Sequence, residues 1–189
     1  LISLDETIAL RPGSQLSGTA TTVQLSSTGN LQNAVDVATT GGTIQMSSGI
    51  FQDGETFISR DVTLQGQGVG NTLLNGANSH RVLNITDGDV TVNDVTIQQG
   101  LATEGAGIKV GGTANLVLSN SLLQNNNAVV PSPLIRGGGI LFEGTGTSLI
   151  QQTHLENNSS EFGGAIALYD DHMLTLDNVQ LVSNQATAN

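Results

Sequence analysis

Leu116-Val-Leu-Ser-Asn-Ser-Leu-Leu-Gln-Asn-Asn126 decides the fold, because the chain writes it four times. The other copies are Val90-Thr-Val-Asn-Asp-Val-Thr-Ile-Gln-Gln-Gly100, Ser148-Leu-Ile-Gln-Gln-Thr-His-Leu-Glu-Asn-Asn158 and Leu174-Thr-Leu-Asp-Asn-Val-Gln-Leu-Val-Ser-Asn184. Their matching apolar positions Val92, Leu118, Ile150 and Leu176 lie 26, 32 and 26 residues apart. The longer step carries an insertion, assigned to Val129-Val-Pro-Ser-Pro-Leu-Ile-Arg136. A second series, Gly107-Ile-Lys-Val110, Gly139-Ile-Leu-Phe142 and Ala165-Ile-Ala-Leu168, keeps the same 32 and 26 spacing at its Ile residues. Val82, 26 residues before Ile108, is expected to begin that series.

Each copy holds three short segments of alternating polarity, separated by turns rich in Gly, Asn and Asp. Such segments are strands. None can bury an apolar face alone, but each can pair in parallel with its copy one repeat later, about 4.8 Å away. The predicted fold is all-β: a right-handed parallel β-helix of about six three-stranded coils, counting weaker copies near Thr43–Met46 and Val62–Leu64. At that spacing the stack is about 30 Å long.

The register predicts three inward ladders: Val92/Leu118/Ile150/Leu176, Ile97/Leu123/Leu155/Leu181 and Ile108/Ile140/Ile166. Asp94, Asn120, Gln152 and Asn178 align at one bend, and Gly100, Asn126, Asn158 and Asn184 at another. Asn suits both roles, since stacked amides hydrogen-bond along an axis and Asn tolerates the left-handed backbone of a bend. Leu31-Gln-Asn-Ala-Val-Asp-Val-Ala38 has helical spacing, with Asn30 or Thr28 as cap, and predicts a short helix over the open N-terminal coil. Leu1–Leu10 reads as an extra strand, and Thr19–Gly29 as edge strand or loop. The chain thus divides into a segment 1–29 and a β-helix 30–189, with its helix at about 31–38 and coils from about 41. Leu181–Ala186 completes a repeat, with Asn189 soon after. The expectation is a piece of a longer β-helix, or a terminal coil covered by another molecule. A start at Leu1, without Met or signal peptide, reads as a mature or excised segment.

Composition agrees. Of 189 residues, 37% are apolar and only 11% charged, so Asn, Gln, Ser and Thr must wet the surface. Typical soluble domains carry about 25% charged residues. Helical bundles and disorder are both disfavoured. Sixteen acids against five bases give a net charge of −11, and Lys109 is the only lysine. Nucleic acid is therefore an unexpected partner, as is an anionic membrane surface. Cysteine is absent, which removes disulfides and thiolate chemistry. No apolar run reaches the roughly 18 residues of a membrane span.

The tetrapeptides Gly105-Ala-Gly-Ile108, Gly137-Gly-Gly-Ile140 and Gly163-Gly-Ala-Ile166 resemble the GGA-[ILV] motif of polymorphic outer membrane protein repeats. That family places F-x-x-N upstream. Here Leu123-Gln-Asn-Asn126, Leu155-Glu-Asn-Asn158 and Leu181-Val-Ser-Asn184 stand there, with Leu for Phe. The opening stretch Leu31–Ala38, with Gly41-Gly-Thr-Ile44, Gly49-Ile-Phe51 and Leu64-Gln-Gly-Gln-Gly68, is similar to the start of many pectin-lyase-like β-helices. The resemblance covers about residues 30–189. It implies secreted or surface-exposed bacterial proteins, often adhesins or autotransporter passengers.

Candidate sites follow from the register. Glu143 aligns with Tyr169, and Gly144 with Asp170. Glu143, Asp170 and Asp171 can therefore share a turn, as an acid/base pair or as calcium ligands. The competing reading is a solvated turn. Arg136 falls level with Glu104 and Phe162, with Glu161 one residue earlier. Lys109 points outward nearby, beside the Ala128–Arg136 loop. Arg136, Lys109, Glu104, Glu161 and Tyr169 form a candidate binding group, for a carboxylate or sugar; the alternative is surface ion pairing. Asp87-Gly-Asp89 resembles part of a calcium loop but lacks its other ligands, and a tight turn explains it. His80, His154 and His172 are dispersed and suggest no metal site.

The first functional expectation is an extracellular or cell-surface structural or adhesive module, with a stalk or fibre subunit as one form. It has no enzymatic activity and no required cofactor, although calcium stays open. Its partners are copies of itself or adjoining repeats, and glycans. The outward columns Thr91/Val117/Leu149/Thr175 and Lys109/Leu141/Ala167 offer apolar contact surface, and Leu1–Leu10 a strand for another subunit's edge. The alternatives are a polysaccharide lyase or hydrolase, or a glycan-binding module without chemistry. Scarce aromatic rings count against the enzyme.

Overall fold

The structure is a computed structural model describing residues 1–4, 18–129 and 135–187. Two strands come first, β1 (Ile2–Leu4) and β2 (Ala20–Leu25), then the helix α1 (Leu31–Val37). Six coils follow among the described residues. They are β3 (Ala38–Met46), β4 (Gly49–Phe51), β5 (Thr56–Ser59); β6 (Val62–Gln65), β7 (Thr72–Asn75), β8 (Leu83–Asp87); β9 (Asp89–Asn93), β10 (Thr96–Gln98), β11 (Leu101–Ala102), β12 (Ile108–Val110); β13 (Asn115–Ser119), β14 (Leu122–Gln124), β15 (Asn127–Ala128), β16 (Ile140–Phe142); β17 (Thr147–Gln151), β18 (His154–Glu156), β19 (Ser159–Ser160), β20 (Ile166–Leu168); and β21 (Met173–Asp177), β22 (Gln180–Val182), β23 (Gln185–Ala186).

These strands stack into parallel sheets. The first sheet runs β1-β2-β3-β6-β9-β13-β17-β21, and the second β4-β7-β10-β14-β18-β22. The third runs β5-β8-β12-β16-β20 and the fourth β11-β15-β19-β23. The chain is a parallel β-helix, and the right-handed expectation follows from the strong preference of parallel crossovers for that hand.

The predicted ladders stand in register. Val92, Leu118, Ile150 and Leu176 pair in sequence, as do Ile97, Leu123, Leu155 and Leu181, and Ile108, Ile140 and Ile166. Their members are fully buried through the middle coils. On the last coil the same inward positions, Leu176 and Leu181, are about half exposed.

The two polar columns do different work. Asp94, Asn120, Gln152 and Asn178 hold φ between 48 and 57°, so theirs is a column of left-handed bends. Gln99, Asn125, Asn157 and Ser183 form a second such column. The hydrogen-bonded ladder is Gly100/Asn126/Asn158/Asn184. Asn126 Oδ1 accepts from the Gly100 N–H at 2.8 Å, and Asn126 Nδ2 donates to Asn158 Oδ1 at 2.9 Å. Asn158 Nδ2 donates to Asn184 Oδ1 at 2.9 Å.

α1 closes the N-terminal side. Asn30 Oδ1 accepts the Asn33 N–H at 2.9 Å, while Leu31, Ala34, Val35 and Val37 are buried. β5 is an edge strand of the third sheet, and Gln32 pairs with it as a strand would. Its Oε1 accepts the Phe57 N–H at 2.7 Å and its Nε2 donates to the Phe57 carbonyl at 3.2 Å.

Several expectations need correction. The coils have three strands only at first; from the third coil a fourth, two-residue strand appears, too short to show periodicity. Leu83, not Val82, pairs with Ile108, because the stretch from Leu83 to Asp89 is one residue shorter than the matching stretch from Ile108 to Asn115. Before residue 30, the described strands β1 and β2 extend the first sheet. Ile2–Leu4 folds back to pair with Val23–Leu25 of its own β-helix; residues 5–10 of the proposed strand lie outside the described residues. Leu141 and Ala167 are buried, not open contact surface. The turns at Gly137 and Gly163 fold back onto that column, and a Cβ there would come within 2.8 Å of Leu141 N and 3.0 Å of Ala167 Cα.

Candidate functional site

The outer edge of the third sheet gathers most of the predicted site. Glu104, Arg136 and Phe162 form one rung of isolated parallel bridges, just before the turn glycines Gly105, Gly137 and Gly163. These glycines have φ of 55, 62 and 66°, and each turn doubles back over the strand that follows. A residue before the turn is thereby set beside an outward residue of that strand. Glu104 thus meets Lys109, with Nζ to Oε2 at 3.2 Å. Its other oxygen accepts from Arg136 Nη2 at 2.8 Å. Lys109 Nζ also reaches Glu143 Oε1 at 2.9 Å. The Arg136 guanidinium lies over the Tyr169 ring, 4.3 Å from its centroid.

Glu104, Lys109, Arg136, Glu143 and Tyr169 therefore form one cluster drawn from three coils. Two carboxylates match two cations, and the four charged side chains are only 15–28% exposed. Arg136 Nε is buried without a partner. Such a cluster neutralises itself and binds coil to coil; it presents no unpaired cation for a ligand carboxylate. Glu161 stands apart, beside Ile135, Ser159 and Gln185 on an open cavity of about 490 Å³.

A second network prolongs the first toward the N-terminus. Arg81 pairs with Glu55, and Asn84 Nδ2 donates to the same carboxylate oxygen at 2.9 Å. Arg81 Nη2 donates to the Glu104 carbonyl at 2.9 Å. None of these roles was expected from sequence, though Arg81 lies just before β8, as Glu104 does before β12.

The proposed carboxylate turn is not a convergent trio. Glu143 faces Lys109. Asp170 adopts a left-handed backbone, φ 56°, and its carboxylate accepts the Gly144 N–H of the coil beneath at 3.0 Å. Asp171 is exposed. Asp87 accepts from the Gly88 N–H and from Thr113 Oγ1, both at 2.9 Å. Asp89 accepts from Asn115 Nδ2 at 2.6 Å, and Asp61 accepts the Asp89 N–H at 2.8 Å. Among the described residues no three His, Asp or Glu side chains stand together as metal ligands.

His172 is the residue that sequence reasoning missed. It is 5% exposed and packs against Phe142, with ring centroids 5.0 Å apart. Its Nε2 lies 2.9 Å from Ser148 Oγ, which accepts the Leu116 N–H at 3.0 Å. Nδ1 is buried without a hydrogen-bond partner. Burial pushes the imidazole below its ordinary range; the Glu143 backbone pulls the other way without reaching hydrogen-bond geometry. The available signal was the column Ala114/Gly146/His172, where two small residues leave room. A Cβ on Gly146 would sit 2.8 Å from His172 Cε1.

No helix among the described residues is long and apolar enough to cross a membrane. No protein-family model matches this chain, and no curated protein does.

Proposed function

We propose that this chain is a non-catalytic structural or adhesive β-helix module of a secreted or cell-surface protein, as in a stalk or fibre. One observation carries the reading: many of the outward charged and amide side chains are engaged from coil to coil. Glu104 with Lys109 and Arg136, Asp87 with Thr113, Asp89 with Asn115, and Gln98 with Gln124 all bond along the axis. A catalytic cleft instead holds its groups free for substrate. The tetrapeptides that resemble polymorphic outer membrane protein repeats support the surface setting. The net charge of −11 argues against nucleic acid and anionic membranes. Adjoining coils, of the same chain or of another copy, are the partners that suit the exposed Leu168, Leu176 and Leu181. This reading requires no cofactor, and the calcium candidates Asp87, Asp89 and Asp170 already accept from protein donors.

The test is a screen for depolymerisation of acidic and neutral polysaccharides, with thermal unfolding in calcium and in chelator. The reading expects no turnover and no shift of the midpoint. Turnover that disappears in the Asp170→Asn/Asp171→Asn double variant would establish the enzyme instead.

A second reading, glycan binding without chemistry, has one observation in its favour. Asn120, Gln152, His154 and Glu156 surround Leu122 and Val69 at an open cavity of about 320 Å³. Among the described residues none of those four polar side chains has a partner. Binding on a glycan array that His154→Ala abolishes would select this reading.

A further inference from the structure

We infer that His172 is a pH-sensitive latch, whose protonation loosens the turn Tyr169–His172 and the coil that follows it. The proposal does not depend on the functional reading above. Ser148 Oγ accepts the Leu116 N–H, and we assign its own proton to Nε2 of His172, 2.9 Å away, because no other acceptor for that hydroxyl stands among the described residues. That assignment makes Nε2 an acceptor and leaves the hydrogen of a neutral ring on Nδ1. A proton added at Nε2 turns an acceptor into a donor. The Ser148 hydroxyl must then rotate and its hydrogen loses its partner, with Ser148 only 2% exposed. The new charge has no counter-ion. Phe142 and Gly146 supply none, and β17 offers Thr147 and Ser148, both uncharged. On the adjoining turns the Glu143 carboxylate is held by Lys109, Asp170 accepts from the Gly144 N–H, and Asp171 is exposed; none pairs with the ring. A buried unpaired charge is relieved by moving the group to water.

Moving His172 has consequences on its own turn. Tyr169 covers Arg136 and Asp170 ties the turn to Gly144. Release of the turn uncovers Arg136, and it loosens β21, which begins at Met173. The sign follows from linkage. Burial lowers the folded-state affinity of His172 for protons, so its contribution is present above the ordinary imidazole range and is lost as pH falls toward the lowered value.

The experiment is an NMR titration of the histidine ring signals in the full chain, with amide hydrogen exchange at each pH. We expect His172 to titrate below the ordinary imidazole range. In the same window β20–β22 should lose protection relative to β8–β10, and His172→Phe should remove that step. Titration of His172 in the ordinary range overturns the proposal, as does an unchanged step in His172→Phe. Should that variant not fold, the unmodified chain still decides. A His172 titration with no matching loss of protection in β20–β22 overturns the latch.

Discussion

Asn126 shows how one residue type holds this molecule. It is fully buried, accepts the Gly100 N–H, and donates to the Ile97 carbonyl and to Asn158. Truncation orphans these groups at about 1–3 kcal/mol each. Asn126→Ala should therefore lose about 3–5 kcal/mol by urea unfolding, a range reserved for broken buried networks. Asn120, in the bend column, is exposed and serves through its backbone, at φ 48°. Asn120→Gly should stay within about 0.5 kcal/mol of the parent, because Gly adopts that φ without strain. Sequence alignment placed both columns but could not separate these roles. Asn is suited to either, and which one it plays depends on whether the side chain points inward.

At the scale of elements, α1 is a seven-residue helix that would not persist alone. Its face of Leu31, Ala34, Val35 and Val37 fixes it to the first coil, and Gln32 occupies the edge of β5. Asn30→Ala should cost about 1 kcal/mol through the lost cap. Gln32→Ala should free the Phe57 N–H, measured as faster hydrogen exchange at Phe57 with little change elsewhere. The helix was legible from its spacing and cap. Its pairing with β5 was not, because an amide side chain mimicking a strand leaves no periodic trace. The fourth-sheet strands were illegible for a related reason: two residues carry no alternation. The cluster of Glu104, Lys109, Arg136, Glu143 and Tyr169 was largely legible, since register alone set Glu104 level with Arg136, and Glu143 with Tyr169. Ion pairing was one of its two readings; which acid meets which base was not legible, because that is decided by side-chain geometry at the glycine turns. His172 lay hidden because its burial comes from the smallness of Ala114 and Gly146, and from the shape of a turn.

The whole molecule is a stack in which each coil is bound to the next by backbone pairing, aliphatic ladders and outward polar staples. Many of its polar surface residues bond from coil to coil, and the scaffold reading takes cohesion to be their first role. Charges held for function commonly lower stability, and their removal then raises it. Charges held for cohesion behave oppositely. The most direct test is the equilibrium urea unfolding of Glu104→Gln against the parent at neutral pH. Glu104 joins Lys109 and Arg136 at 3.2 and 2.8 Å. The scaffold account predicts a loss of about 1–3 kcal/mol, as two largely buried cations lose a shared partner. Unchanged or increased stability would contradict it, and would mark this edge of the third sheet as a site kept for a ligand.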